Sequence, residues 1–381
     1  MSVLPSSCDV VVVGAGSAGS LAALRLARAG CDVVLLDRAR FPRRKVCGAC
    51  VGPGALATLE AEGLGARVRA LGGHSLYRME LRGDRGHSTI RLGGNLAVSR
   101  QALDHTIVSA AQDAGATFFD GCRGRIASVN DDGVELDTGL GLIRAGVVVD
   151  AAGLADTVQP FGEARSSRTE PDSLIGAGAV FPLEAFTLAP GILRMVVGAH
   201  GYVGFVRVED GTVNVAAALT PHAVAEWGLD GAVRRLLSDA GVAAASAPPE
   251  EPWKGTPPLT WSPRELASSR VFRIGDAAGY VEPFTGEGMA WALEGAVRVT
   301  PFVEAGVARW DDELIGSWTR EYDRSIGRSR RTCRLLARGL RSRTLVRLAI
   351  ALTAHAPLLA SPFVRSTSRT HRAMSAAVGV S

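Results

Sequence analysis

Short, unbroken apolar runs alternate along this chain with longer stretches in which apolar positions recur at helical spacing. Asp9-Val10-Val11-Val12-Val13, closed by Gly14, has the pattern of a strand buried on both faces. Ser17 to Ala29 is rich in alanine and leucine and stops at Gly30, which predicts a helix with a glycine C-terminal cap. Asp32 to Asp37 predicts a second buried strand, so the chain opens β-α-β. The pattern then predicts a helix over 100–114 and short strands near 117–119, 124–130 and 134–137. Ala145 to Asp150 and Val271 to Asp276 predict two more buried strands. Between them, 175–219 alternates apolar and small residues in the manner of a sheet. Pro248, Pro252, Pro257, Pro258 and Pro263 mark an irregular return, and Gly288 to Val299 begins a helix in a helical, basic remainder.

Composition narrows the class without naming it. With 47% hydrophobic and 21% charged residues over 381, a disordered chain is excluded. No run reaches the ~18 apolar residues of a membrane-spanning helix. Met1 to Ser7 lacks the basic start of an export signal, so the expected location is cytoplasmic. Six scattered cysteines then argue against a disulfide framework, and only Cys47 and Cys50 stand close together. The charge is unevenly spread. From Arg324 to Ser381 there are 12 Arg and no Lys, Asp or Glu; since the whole chain is +4, residues 1–323 carry −8.

The first chemical motif is Gly14-Ala15-Gly16-Ser17-Ala18-Gly19, between the first strand and the first helix. Gly14 suits the tight turn, Gly16 lets the backbone approach a pyrophosphate, and Gly19 with Ala23 lets helix and sheet pack closely. The helix N-terminus offers free N–H groups and partial positive charge to phosphates. Asp37, ending the second strand 18 residues after Gly19, is placed to accept ribose hydroxyls. Dinucleotide binding follows, with FAD and NAD still undivided.

Later segments divide them. Arg273-Ile274-Gly275-Asp276-Ala277-Ala278-Gly279 and Pro283-Phe284-Thr285-Gly286-Glu287-Gly288-Met289 resemble motifs of the class A flavoproteins of the para-hydroxybenzoate hydroxylase fold, particularly the geranylgeranyl-reductase-like branch. The resemblance implies FAD, with Asp276 on its ribityl side and the glycine turn facing pyrophosphate and isoalloxazine. Asp150 and Gly153 resemble the family's mid-chain Asp-Gly segment near the diphosphate, although Leu154-Ala155-Asp156 replaces the usual arginine-bearing continuation. Arg100 matches the family arginine that reaches the phosphate region. The implied cofactor site comprises Gly14, Gly16, Ser17, Ala18, Gly19, Asp37 and Arg38, then Lys45, Cys47, Gly48, Arg100, Asp150 and Gly153. It is completed by Gly275, Asp276, Pro283, Gly286, Glu287, Gly288 and Met289. No metal site is expected, because the histidines lack ligand spacing.

The implied fold class is α/β, a Rossmann-type FAD-binding domain with an inserted, mainly antiparallel β-sheet substrate domain and a helical C-terminal region. The expected parts of the FAD domain are 1–75, 100–165 and 263–323. Substrate-domain strands occupy 76–99, the body of that domain 166–262, and the basic region 324–381.

Phe41-Pro42-Arg43-Arg44-Lys45-Val46-Cys47-Gly48 resembles the family's basic stretch and Cys-Gly close to the isoalloxazine. Three roles stay open for Cys47: a small residue packed on the cofactor, a catalytic group tuning flavin or donating a proton, or half of a dithiol with Cys50. Gly201-Tyr202-Val203-Gly204-Phe205-Val206-Arg207 lacks the tryptophan and proline expected of prenyl reductases and halogenases, which sets halogenation aside and weakens the prenyl-reductase expectation. The leading expectation is an FAD-dependent monooxygenase acting on a lipophilic, aromatic or polyketide-type metabolite with NAD(P)H and oxygen. The alternative is a reductase saturating C=C bonds of a prenyl lipid, and a third is a flavin-bearing binding protein or redox sensor. Arg328, Arg331, Arg334, Arg338 and Arg341 recur at helical steps, either as a membrane-surface anchor or as a cover on the acidic body. Nucleic acid is not an expected partner.

Overall fold

In the computed structural model, the described residues are 3–84, 86–154, 158, 167–282 and 286–340. The opening runs form the centre of an eight-stranded sheet. Strand Ser7–Val13 lies between Val33–Asp37 and Leu142–Asp150, parallel to both, with Val10 in register with Val33 and Val147. Strands Thr117–Asp120 and Val271–Arg273 extend this parallel core on either side. Because the strand order reverses around Ser7–Val13, a crevice opens at the carboxyl ends of the strands. Helices Ser17–Arg28, Arg100–Asp113 and Gly288–Ala308 bury one face of the sheet, Leu21, Leu24, Leu103 and Leu293 packing in one cluster with Phe272 of the sheet.

The second sheet also has eight strands, in the order Lys254–Pro258, Ile175–Phe181, Val213–Leu219, Gly201–Arg207, Ile192–Gly198, His74–Gly83, Gly86–Ala97 and Cys50–Val51. All pairings are antiparallel except that of Ile192–Gly198 with His74–Gly83. Period-two alternation gives it two different faces. Val203, Phe205, Val213 and Val215 pack against Val233 and Leu236 of helix Pro221–Asp239. Gly176, Tyr202, Gly204, Ala216 and Ala218 turn the other way, into the crevice.

Two features differ from the expected elements. The helix Pro221–Asp239 falls between the sheet expected over 175–219 and the return marked from Pro248, where no element is expected, and Gly228, at φ +68°, interrupts its periodicity. The strand expected over 271–276 ends at Arg273, where a short 3-10 turn, Gly275–Ala278, begins. Gly275 adopts φ +58°, and a Cβ there would stand 2.9 Å from Ala18 Cβ. That close approach presses the Asp276 turn against the first helix.

Candidate functional site

A cleft of about 490 Å³ lies between the two sheets, within the range of small-molecule and cofactor sites. Its floor is the glycine turn. Gly14 has φ +101°, and a Cβ there would stand 2.3 Å from Ala151 O; a Cβ on Gly19 would stand 1.9 Å from Gly14 O. Both glycines are therefore demanded by backbone packing on backbone. Gly16 differs, since a Cβ there would meet only the Arg43 and Arg100 Nη2 atoms, each at 3.6 Å. The helix it opens has no side-chain cap and no acid in its first turn. Free helix N–H groups flanked by two guanidinium groups form a receptacle for a pyrophosphate.

A buried charge network fixes those cations. Asp104 is fully buried and takes Arg100 Nη2 at 2.8 Å, Arg43 Nη1 at 3.2 Å and the Ser17 hydroxyl at 2.8 Å. Burial alone would raise the Asp104 carboxyl, but Arg100 and Arg43 overcome it and hold the group below the usual carboxylate range. Asp37 accepts the backbone N–H groups of Ala15 at 2.9 Å and Ala39 at 2.8 Å, with Arg43 Nη2 3.5 Å away. Its carboxylate is thereby aimed at the end of the strand where a ribose would lie.

The segment from Arg43 to Cys47 ties the site together, each residue by a different partner. Arg43 holds Asp37 and Asp104, Arg44 pairs with Glu250 at 2.7 Å, and Lys45 reaches Asp276 at 3.2 Å. Val46 fills the space over Gly178, and the Cys47 carbonyl accepts Asn214 Nδ2 at 2.9 Å. Cys47 and Gly48 thus face the cleft between the two domains. Cys50 also lines it, but burial pushes that thiol up to about 12, so it stays protonated. That disfavours Cys50 as the attacking half of a dithiol.

Of the residues picked out from sequence, Gly14, Gly16, Ser17, Ala18, Asp37, Arg38 and Arg100 line the cleft at its dinucleotide end. Lys45, Cys47, Gly48, Gly153, Gly275, Asp276, Gly286, Gly288 and Met289 line it farther along. Three have other places. Gly19 lies beneath Gly14, as a packing glycine. Asp150 is turned to Arg273, 3.6 Å away, and to the Ala152 N–H, because parallel pairing sets Asp150 beside Arg273. Glu287 does not line the cleft, and burial raises its carboxyl to about 7. Pro283 and residues 341–381 lie outside the described residues.

Asp104 and Tyr280 are not among the residues expected from sequence, and Arg43 stands there only as part of the basic stretch Arg43 to Lys45. Asp104 carried a signal, standing four residues after Arg100 on one helix face. Tyr280 carried none. Its ring packs with Tyr202, Leu154, Ala218 and Leu259 at the substrate end of the cleft. Burial first, then the neighbouring Asp276, Cys47 and Tyr202, push its hydroxyl well above the usual tyrosine value. Among the described residues no group of His, Cys, Asp or Glu is placed to hold a metal ion.

The family described as FAD binding domain matches residues 7–140. The menaquinone reductase of Mycobacterium tuberculosis (strain ATCC 25618 / H37Rv) is 30% identical over 375 residues, covering 87% of this chain and 84% of that protein. Digeranylgeranylglycerophospholipid reductase 2 of Methanopyrus kandleri is 27% identical, covering 83% and 81%. Kynurenine 3-monooxygenase of Salinispora arenicola is 30% identical, covering 76% and 70%. In fold, a flavin-dependent brominase superposes with a TM-score of 0.74 at 16% identity, covering 95% of this chain and 93% of its own. The chain belongs to the class A FAD-dependent oxidoreductases, in their geranylgeranyl-reductase-like branch. It is an FAD-dependent enzyme whose relatives include reductases, monooxygenases and halogenases.

Proposed function

We propose that the protein is a reductase that passes two electrons, taken from NAD(P)H, through FAD to a carbon–carbon double bond of a lipophilic, prenyl-type substrate. The observation that carries this reading is the chemistry of the cleft's substrate end. Leu92, Leu193, Met195, Leu259, Tyr202 and Tyr280 line it, a largely apolar wall on which Asn95 and Thr256 add few polar atoms to the two phenol hydroxyls. Such a lining suits a hydrocarbon chain and offers little to a charged ring. Saturation adds a hydride and a proton, and bound flavin supplies the hydride. Cys47 and Tyr280, both on the cleft wall, are the side chains that can hold the proton. Burial keeps Tyr280 in its protonated form. Two of the relatives are named as reductases of menaquinone and of digeranylgeranylglycerophospholipid, which supports a lipid substrate.

Hydroxylation of a lipophilic aromatic metabolite with NAD(P)H and oxygen is the second reading, favoured by the relative named kynurenine 3-monooxygenase. Under either reading, we propose that the C-terminal region meets a membrane surface from which the substrate is drawn. Arg328, Arg331 and Leu335 form an exposed face on helix Arg328–Leu340, and Leu335 is 68% exposed. Among the described residues, no helix is long and apolar enough to cross a membrane.

The deciding experiment reduces the FAD-loaded protein anaerobically with NADH or NADPH and then adds a prenylated quinone or prenyl lipid. Flavin reoxidation with a product whose prenyl chain, by fragment mass after reoxidation of any quinol, is heavier by two hydrogens supports the reductase. A product carrying an oxygen atom from O₂, formed only when a lipophilic phenol and air are supplied, replaces it with the hydroxylase.

A further inference from the structure

We propose that Arg330, on helix Arg328–Leu340, is a positioning residue of the flavin site that also lends it a buried positive charge, so that this helix raises the reduction potential of the bound cofactor. The inference rests on FAD binding and on nothing about the substrate.

The geometry is specific. Arg330 is only 8% exposed. Its Nη1 donates to Ala278 O at 2.9 Å and lies 2.9 Å from Tyr322 Oη. Its Nη2 stands 2.6 Å from where a Cβ on Gly279 would be, so the guanidinium fills the space of a missing side chain. Gly279, at φ +99°, ends the 3-10 turn that carries Asp276 on the cleft wall. Arg330 thus caps the negative, carbonyl end of that turn and fixes its direction. One turn along the helix, Cys333 Sγ lies 3.8 Å from Glu282 O, on the same segment. Both contacts brace 278–282, the stretch that leads into the glycine turn at Gly286 and Gly288.

The charge is the second half of the argument. The neighbouring Arg334 and Arg338 pair with Glu170, at 3.3 and 3.5 Å. Among the described residues no carboxylate lies within ion-pair distance of Arg330, and Asp276 is already engaged by Lys45. A buried cation that has hydrogen-bond acceptors but no counter-charge is costly unless negative charge develops near it. Reduced flavin develops such charge. The field of Arg330 is felt locally: burial raises the Tyr322 hydroxyl and the Cys333 thiol, and in both cases Arg330 opposes the rise.

The test compares Arg330→Gln and Arg330→Lys with the native holoprotein by spectroelectrochemical titration of the flavin. Gln keeps a donor for Ala278 O and removes the charge. The expected result is an Arg330→Gln protein that retains FAD but has a more negative midpoint potential, while Arg330→Lys at neutral pH stays close to native. An Arg330→Gln protein that retains FAD at the native potential overturns the proposal. Should Arg330→Gln not hold FAD, Arg330→Lys decides, because a buried lysine sheds its proton more easily than arginine. Its potential should match the native one at low pH and drop below it as pH rises. Asp276, Glu282, Glu287, Tyr322 and Cys333 surround both side chains alike, so their titration cancels in the difference. A gap between Arg330→Lys and native that does not change with pH overturns the proposal. A native protein that takes up no FAD overturns the flavin assignment as well, so the two failures are distinguishable.

Discussion

The two ends of the cleft are built on opposite terms. At the dinucleotide end, Gly14 and Gly19 are held against backbone atoms, and their missing Cβ atoms would stand 2.3 and 1.9 Å from carbonyl oxygens. At the substrate end, the small residues face side chains. A Cβ on Gly204 would stand 2.8 Å from Met195 Sδ, and one on Gly176 would stand 2.6 Å from Thr256 Oγ1. Backbone cannot move aside without unmaking the sheet, whereas a methionine can change rotamer. The first end is fixed by the fold, and the second is adjustable within it.

Substitutions can break or sharpen that contrast. The largest effect is expected from Gly19→Val, which drives side chain into backbone; it should leave little folded protein by circular dichroism. Gly16→Val should fold, since only two guanidinium groups stand near, yet emerge colourless. Full flavin absorbance in Gly16→Val would overturn the pyrophosphate assignment. Asp104→Asn leaves Arg100 with an uncompensated buried charge, while Arg43 keeps Asp37, and should cost roughly 3–5 kcal/mol in urea unfolding at pH 7. Its sign with pH follows from the depressed carboxyl. In the native protein that contribution is present above the ordinary carboxylate range and lost as pH falls through the lowered value. Asp104→Asn should therefore approach native stability in acid.

At the adjustable end, Gly204→Leu should keep its flavin absorbance while kcat/KM for a bulky lipophilic substrate falls about tenfold or more. Loss of the fold in Gly204→Leu would mean that the substrate face is as rigid as the glycine turn. The smallest effect concerns Glu287, raised by burial from its ordinary 4.5 to about 7. Its contribution to stability is full below the ordinary value and declines as pH rises through about 7. Glu287→Gln should escape that decline, so thermal melts should favour the variant at pH 8 and show little difference near pH 4.5.

What sequence could convey follows the same division. Gly14 to Gly19 and Asp37 were legible because one turn and its flanking strands contain their whole geometry. Asp150 was misdirected because its neighbour Arg273 is supplied by another strand, 123 residues later, and only the parallel register brings them together. Arg43, Arg44 and Lys45 are three adjacent cations, and nothing local tells which faces Asp104, Glu250 or Asp276. Helix Pro221–Asp239 did leave a signal in Thr220-Pro221, a capping hydroxyl before a first-turn proline. The break at Gly228 hid the rest of its period. Arg330 stands outside the set Arg328, Arg331, Arg334, Arg338 and Arg341 whose spacing gave a helix face, and nothing in the sequence marked it as the arginine turned inward.

The stretch from Arg43 to Cys47 acts as a ruler. Each of its five residues is fastened to a different element, and the strand Cys50–Val51 that follows is stitched to Leu96 and Ala97. A one-residue insertion would therefore shift every fastening at once, exchanging charge for valine over Gly178 and moving Cys47 off the cleft wall. Side chains here can be traded individually, but the count between Phe41 and Cys50 cannot be altered without parting the two domains.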